Sequence, residues 1–177
     1  MISTHDFKRA MAHLAGAVTV ITTSDEHGQA WGFTATAFCS LSLEPPLVLC
    51  CLDQAADCYQ AFIQGRAFAV NMLSEQQRHL AQRFATKGME KYRATTFANG
   101  KMGLPLLPDA LVTLECSITH IHPGGDHSII VGLVEYEQMV VNTQPARPLL
   151  YYAQSYGTFT GTAVIDARPT IDIQNGR

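Results

Sequence analysis

The stretch from residue 34 to residue 42, TATAFCSLS, decides how the surrounding sequence is interpreted. Its Thr and Phe residues favour a strand, yet most of its side chains are small and four of the nine carry a hydroxyl. Alternate residues of a strand share a face, so a strand here would form a hydroxyl face and a face of little bulk. The hydroxyl face would hold Thr34, Thr36, Phe38, Ser40 and Ser42.

Two explanations fit such a strand. It is either an ordinary amphipathic strand whose Thr and Ser side chains face water, or a surface on which a flat ring approaches the backbone. In the second case main-chain N–H and C=O groups would bond the ring edge, and hydroxyls would meet polar appendages. The local pattern favours neither.

The segments on either side predict strands joined by turns. AVTVITTS (17–24) is typical of a strand, DEHGQ (25–29) of a turn, and WGFTATAFCSLS (31–42) of the hairpin partner. After Pro45 and Pro46, the continuous apolar run LVLCCL (47–52) predicts a buried strand.

The rest of the chain adds short helices and more strands. Thr4 is a candidate cap for a helix with Phe7, Met11 and Leu14 on one face, and Ser74 with Gln77 forms a capping box. Further predictions are a helix over 55–65, a strand over 66–73, a helix over 75–85, an irregular region over 87–110, and strands over 111–122 and 127–141.

Six or seven strands with hairpin connections predict a mainly β fold with short helices, a mostly antiparallel closed or half-closed barrel. We expect one domain over residues 1–163 and a poorly ordered tail over 164–177. The sequence contains neither GxGxxG nor GxxxxGK[ST], so a bound nucleotide would not use a Rossmann turn or a P-loop.

Composition narrows the function classes. The 177 residues are 47% hydrophobic and 15% charged, with a net charge of −3 and no basic run, which argues against a nucleic-acid partner. No apolar run approaches the roughly 18 residues of a membrane span, and the first residues lack a signal-peptide core, so we expect a cytoplasmic protein. Five cysteines without a CxxC pair predict small buried side chains rather than disulfides or a zinc ribbon.

A histidine cluster, ITHIHPGGDH (118–127), permits two interpretations. Zn and Fe bind imidazole readily, and this segment carries three such side chains, His120, His122 and His127. No acidic residue lies at ligand spacing on the same face. Alternatively, the glycines and Asp126 form a tight turn that presents His127 at the start of a strand.

The helix end AQRFATKG (81–88) carries Arg83 and Lys87. Basic residues in a last helical turn complement the helix dipole, which is their ordinary role. The functional alternative is an anion site in which Lys87 faces a phosphate.

Taken in order, several segments resemble the flavin reductase family, the short-chain NAD(P)H:flavin oxidoreductases that serve two-component monooxygenases. The resemblance extends from about Phe7 to Phe159, and each segment alone is less specific than the ordered set. The segments are FKRAMAHLAGAVTVITT, GFTATAFCSLSLEPPLVLCCL, FAVNMLSEQQRHLAQRFA, GGDHSIIVGLV and PLLYYAQSYGTF.

The resemblance implies an FMN-binding split β-barrel with Greek-key order, assembled as a homodimer with the flavin, FMN or FAD, near the subunit interface. It places the segment 32–37 beside the flavin ring, Ser40 and Ser42 toward the ribityl and phosphate end, and His127 and Tyr156 on the side of NADH or NADPH. The implied flavin-contacting residues are Gly32, Phe33, Thr34, Ala35, Thr36, Ala37, Ser40, Ser42, Cys51, Leu52, Asp53, Ala56, Arg83, Phe84, Ala85 and Lys87.

One segment departs from the family. Where its members often carry a turn rich in Ser or Thr, this chain has DQAADC (53–58). Ala55 and Ala56 lack hydroxyls, and we expect Asp57 to repel a nearby phosphate, which leaves the choice between FMN and FAD open.

The implied reaction is hydride transfer from a reduced nicotinamide to the flavin, with reduced flavin released to a partner monooxygenase. This reaction requires no obligatory catalytic base, and the sequence contains no Ser-His-Asp or paired-carboxylate pattern. Two alternatives stay open: a non-catalytic flavin- or haem-binding split barrel, and a metal enzyme that uses the three histidines.

Overall fold

The computed structural model describes residues 1–88, 90–139 and 147–161. The predicted tail over 164–177 lies outside these residues. The helices are α1 (Thr4–Met11), α2 (Tyr59–Gln64), α3 (Arg78–Phe84) and α4 (Glu90–Arg93), with a 3₁₀ turn over Glu75–Gln77. The strands are β1 (Gly16–Ala17), β2 (Thr19–Ser24), β3 (Ala30–Ala35), β4 (Phe38–Ser42), β5 (Leu47–Asp53), β6 (Ala67–Met72), β7 (Ala98–Asn99), β8 (Pro105–Leu106), β9 (Val112–Gly124), β10 (His127–Met139), β11 (Leu149–Tyr152) and β12 (Ser155–Thr158).

A seven-stranded sheet in the order β3-β2-β6-β9-β10-β5-β4 forms the framework. A three-stranded sheet, β1-β11-β12, and the small pair β7-β8 complete the fold, and every described strand pairing is antiparallel. The two edge strands of the large sheet, β3 and β4, are consecutive in the chain. The sheet therefore curls until its edges approach each other, which confirms the predicted split barrel.

The expected single strand over 31–42 is wrong, because the chain breaks it at Thr36 and Ala37. Ala35 pairs with Thr19, which is the first residue of β2, so a longer β3 would run past the end of its partner. The chain instead crosses to β5, where the Ala37 carbonyl accepts a hydrogen bond from Cys51 N–H at 3.0 Å. β4 then pairs with β5.

The main core lies inside the curled sheet. Large aromatic side chains fill it, with Phe62 and Phe68 fully buried and Phe33 packed edge-to-face on Phe62 at 5.2 Å between ring centroids. Ala35 and Leu52 belong to the same core. A second core beneath α3 holds Val20, Leu80, Phe84, Tyr92 and Leu149, among others.

The helices follow the predicted signals with corrections. The capping box of Ser74 and Gln77 is present, but it opens the 3₁₀ turn that leads into α3. In α1 the N-cap is Ser3 rather than Thr4, and the helix buries none of its residues. The region 87–110, expected to be irregular, contains α4 and the β7-β8 pair.

The long hairpin β9-β10 confirms the prediction of two strands joined near PGGD. Gly124 pairs with His127, so the turn consists of Gly125 and Asp126 alone. Gly125 has a φ of +73°, a conformation that glycine adopts without strain. Among the described helices, none is long and apolar enough to cross a membrane.

Candidate functional site

Strand β5 and the turn after it join the predicted site segments. Cys51 bonds the β3-β4 crossing through Ala37, and Asp53 pairs across the sheet with His127. Further along the same turn, Asp57 accepts a hydrogen bond from Gly88 N–H at 2.7 Å. The structure therefore brings the crossing, the β9-β10 turn and the loop after α3 to one strand end.

The crossing presents an exposed surface of small side chains. Thr36, Ala37 and Ser40 are exposed and Ser42 is half-buried. Cys51 beside them is half-buried, and burial raises the pKa of its thiol, so this thiol stays protonated and neutral near pH 7. A flat ligand could reach the backbone here without displacing bulky side chains.

The glycine at position 32 has a different explanation from the one that the resemblance implies. A Cβ atom on Gly32 would lie 2.7 Å from the Ile21 carbonyl oxygen and 3.3 Å from the Phe84 ring. The close packing of β3 on β2 and α3 therefore requires glycine, whether or not a ligand binds. A small residue here is not itself evidence for a ring.

Several other predicted flavin contacts have their side chains in the protein interior. The residues concerned are Phe33, Ala35, Leu52 and Phe84, none more than 9% exposed. Buried side chains cannot touch a ligand on the surface, so any contact they make with flavin would come from their backbone. In particular, Ala35 packs its methyl group in the core rather than toward an outside ring.

The Thr34 hydroxyl has a structural partner. It donates a hydrogen bond of 2.7 Å to the carbonyl of Ala81 in α3. This bond ties the helix to the edge of β3 and occupies the hydroxyl that the strand pattern had assigned to a common hydroxyl face.

The two cations at the end of α3 have different surroundings. The Arg83 guanidinium donates to the Ala94 carbonyl at 2.7 Å and to the Thr95 hydroxyl at 3.2 Å, so it holds the chain after α4. Lys87 is exposed, and so is Ala85 two residues before it. Of the two predicted anion ligands, Lys87 is the one whose position suits a phosphate.

Asp57 does not act as the repulsive charge that we expected. Its Oδ1 lies 3.0 Å from Lys91 Nζ, and the Lys91 side chain is only 4% exposed. Burial alone would raise the pKa of Asp57, but the bonds from Gly88 and Lys91 hold that pKa below its ordinary value. The charge of Asp57 is therefore offset by that of the buried Lys91. The neighbouring Ala56 is half-buried.

His127 is oriented by its neighbour. Its Nδ1 lies 2.7 Å from Oδ1 of Asp126, and this hydrogen bond lowers the pKa of the Asp126 carboxyl. Gln54 holds the turn, since its N–H donates to the Asp126 carbonyl at 3.0 Å. When Nδ1 carries the proton, Nε2 of a neutral ring is left to accept a hydrogen bond from a ligand.

Tyr156 lies in a different sheet from His127. Its ring packs on Tyr151 at 5.1 Å between centroids, and the guanidinium of Arg78 lies 5.3 Å above it. Its strand, β12, belongs to the three-stranded sheet, whereas His127 starts β10 of the large sheet. The resemblance implies that Tyr156 lies near His127. Within one chain, the contacts of the two side chains do not bring them together.

The histidine cluster forms a stack rather than a chelating group. The rings of His120 and His122 are parallel within 7°, with centroids 5.7 Å apart. Among the residues that the structure describes, no group of three His, Cys, Asp or Glu side chains is arranged to hold a metal ion.

A cleft of about 280 Å³ lies on the other side of Asp57. Its lining includes the carboxylates of Asp25, Glu26 and Asp57, together with Trp31, and contains neither Lys nor Arg. Trp31 Nε1 donates to Asp25 at 2.8 Å. The Asp25 and Glu26 carboxylates, in a lining without a basic side chain, disfavour a phosphate in this cleft.

Sequence reasoning missed three residues that organise this region: Gln54, Lys91 and Tyr92. Lys91 lay in the region expected to be irregular, and a lysine next to a tyrosine carries no pattern that predicts burial. Asp57, in a turn that contains no basic residue, was the one available signal for a cationic partner elsewhere in the chain.

Comparison with known proteins gives a consistent result. The profile described as "Flavin reductase like domain" matches residues 11–160. The NADH:riboflavin 5'-phosphate oxidoreductase of Streptomyces pristinaespiralis is 38% identical over 164 residues, which cover 91% of each chain. The reductase subunit HsaB of a flavin-dependent monooxygenase of Mycobacterium tuberculosis is 34% identical over 88% of this chain and 82% of its own.

A solved structure agrees with the sequence matches. The NADH:FAD oxidoreductase SgcE6 of Streptomyces globisporus, in complex with NAD and FAD fragments, superposes with a TM-score of 0.83 and 28% identity. The match covers 93% of this chain and 99% of that one.

Proposed function

Because the chain belongs to the flavin reductase family, we propose that it transfers hydride from NADH to a flavin held at the β3-β4 crossing. Its relatives are named for NADH together with FMN or FAD, which supports NADH as the donor and leaves both flavins as acceptors. The observation that carries the proposal is the convergence of the crossing, the Lys87 loop and the His127 turn on the end of β5.

The residues present fit a flavin. Exposed small side chains at Thr36 and Ala37 leave room for a ring, Ser40 and Ser42 supply hydroxyls, and Lys87 supplies a positive charge. A flavin held here would supply the hydride acceptor, so the chain's own residues need to place two rings rather than supply a base. We propose that the backbone of residues 32–37, Cys51, Asp53 and Ala56 position the flavin, with Lys87 at its phosphate.

The decisive experiment follows absorbance at 340 nm with NADH and with NADPH, offering FMN, FAD and riboflavin in turn. We expect oxidation of NADH only when a flavin is present. Flavin binding without any oxidation would support the non-catalytic alternative. Activity that disappears with removal of metal would support the metal alternative.

We further propose that His127 positions the nicotinamide. With Asp126 holding its Nδ1, the ring can bond a carboxamide or a ribose hydroxyl through Nε2. His127→Ala should therefore raise the KM for NADH by about three- to a hundredfold while flavin affinity stays near that of the wild type.

His120→Ala is the matched control for this substitution and should leave both constants unchanged. A His127→Ala variant that loses flavin affinity but keeps its KM for NADH would place the histidine on the wrong side of the ring. Loss of activity in both variants would favour the metal alternative.

We propose that the protein is a homodimer. Large apolar side chains lie on its surface, with Phe7 53%, Leu14 72% and Leu43 83% exposed, and a subunit interface would remove such side chains from water. A dimer would also allow Tyr156 of one subunit to join a nicotinamide site built on the other. Light scattering should give twice the 19.3 kDa mass of the chain.

We also propose that reduced flavin passes to a separate monooxygenase in the cytoplasm. The support is the similarity to the reductase subunit of a flavin-dependent monooxygenase and the free state of all five cysteines. Release can be tested by trapping: with flavin catalytic in amount, two molecules of cytochrome c in solution should be reduced for each NADH oxidised, because cytochrome c accepts one electron and NADH supplies two.

A further inference from the structure

We propose that Asp57 and Lys91 form a positioning pair that fixes the loop carrying Lys87 and thereby sets the affinity of the site for the phosphate of a flavin. This inference rests on the proposed flavin site and deepens it, because it assigns a role to two residues that need not touch the ligand.

The pair anchors the loop on both sides of Lys87. Lys91 Nζ donates to the Thr86 carbonyl at 2.7 Å and to Asp57 Oδ1 at 3.0 Å. The other carboxylate oxygen of Asp57 accepts from Gly88 N–H at 2.7 Å. The residues immediately before and after Lys87 are therefore both fixed through the same ion pair.

The ammonium group of Lys91 is not available to a ligand. Its side chain is 4% exposed, and a buried ammonium requires a paired charge and hydrogen bonds to be tolerated. Asp57 and Thr86 provide them. The exposed cation of the loop is Lys87, which the pair holds in place without contacting.

The pair also relates the loop to the flavin strand. The hydroxyl of Tyr92, the residue after Lys91, lies 3.0 Å from the Gly32 carbonyl of β3 and 3.3 Å from Asp57 Oδ1. The Tyr92 ring packs edge-to-face on Trp31 at 5.1 Å. Lys87 is thus set at a defined place relative to the strand that leads to the crossing.

Such preorganisation changes affinity for the phosphate and not for the ring. A loop that is already ordered loses less conformational freedom when an anion binds. Asp57→Asn keeps the size of the side chain, but Lys91 and Gly88 bond different oxygens of the carboxylate. The amide replaces one of these oxygens with an NH₂ group that would face a donor, so the two bonds cannot both be kept in place.

The test compares two flavins that differ only by the phosphate. Dissociation constants for FMN and riboflavin are measured without NADH, by quenching of flavin fluorescence. Asp57→Asn should raise the dissociation constant of FMN by roughly tenfold and change that of riboflavin by less than about twofold. Glu137→Gln, the same charge change at an exposed position of β10, should leave both constants unchanged.

A double variant separates positioning from general damage. If Asp57 acts through Lys87, then Asp57→Asn with Lys87→Ala should bind FMN no more weakly than Lys87→Ala alone. If Asp57→Asn fails to fold, the double variant Asp57→Asn with Lys91→Met removes the pair without leaving a buried charge. This variant should show the same loss of affinity for FMN and an unchanged affinity for riboflavin.

Equal weakening of FMN and riboflavin binding, or additive losses in the double variant, would overturn the inference while the proposed function stands. Unchanged FMN affinity in a folded Asp57→Asn protein would do the same. A wild-type protein that binds neither flavin would instead overturn the proposed function, and this inference with it.

Discussion

The two halves of the segment 30–42 have opposite environments although small side chains predominate in both. Strand β3 (30–35) contributes Phe33 and Ala35 to the core, with exposures of 9% and 7%. From Thr36 onward the side chains are exposed or half-buried, and β4 lies at the far edge of the sheet. Small residues before the break serve packing, and small residues after it lie at the surface, where the proposed site requires space for a ligand.

This difference shows that side-chain size alone does not identify a ligand surface. An alanine occupies a core position at residue 35, whereas the alanine at residue 37 is exposed to solvent. What separates them is the end of the partner strand, since β2 begins at Thr19 opposite Ala35. The comparison between the two halves can therefore be tested by identical substitutions on either side of the break.

The largest effect is expected for Ala35→Leu. A larger side chain in a filled core costs about 1–3 kcal/mol of stability, because neighbouring groups must shift. For a chain of this size the melting temperature should fall by roughly 2–10 °C. Thermal unfolding followed by circular dichroism measures it, and an unchanged melting temperature would mean that Ala35 does not face the core.

The matched substitution Ala37→Leu should leave the melting temperature unchanged and weaken flavin binding. If the ring lies over the crossing, the added bulk should raise the dissociation constant of FMN by about tenfold. Fluorescence titration measures the affinity. If the variant binds FMN as tightly as the wild type, the crossing is not part of the flavin site. The proposed difference between the two halves of the segment would then be wrong.

Much of the fold was predictable because its signals are local. The turn at Asp25–Gln29, the capping box of Ser74 and the Gly125 turn depend on residues within a few positions of each other, and the structure contains all three. The break at Thr36 was not predictable, because it depends on where β2 begins, and a strand pattern carries no information about the length of its partner.

The candidate site also combines features that the local sequence predicts with features that it does not. The exposure of Lys87 and the placement of His127 beside a tight turn followed from their local sequence. The ion pair of Asp57 joins residues 34 positions apart, and no local pattern relates them. Long-range pairs of this kind become visible only once the chain has folded.

The smallest effects concern two hydroxyls that the strand pattern placed on one face. Thr34→Val removes the bond to the Ala81 carbonyl, which still accepts a hydrogen bond from the Ala85 N–H. Loss of one such bond should lower stability by about 1 kcal/mol while FMN affinity stays within roughly twofold of the wild type. Thermal unfolding and fluorescence titration of the same preparation measure both quantities.

Ser40→Ala should give the reverse result. Ser40 is exposed on the edge strand β4, and surface substitutions usually change stability by less than about 0.5 kcal/mol. If its hydroxyl bonds the ribityl or phosphate end of the flavin, FMN affinity should fall by roughly two- to tenfold. The same two measurements apply, with Thr34→Val as the matched hydroxyl deletion. A Ser40→Ala variant that loses stability but keeps its affinity would assign β4 to structure alone, and the contrast between the two halves of the segment would no longer hold.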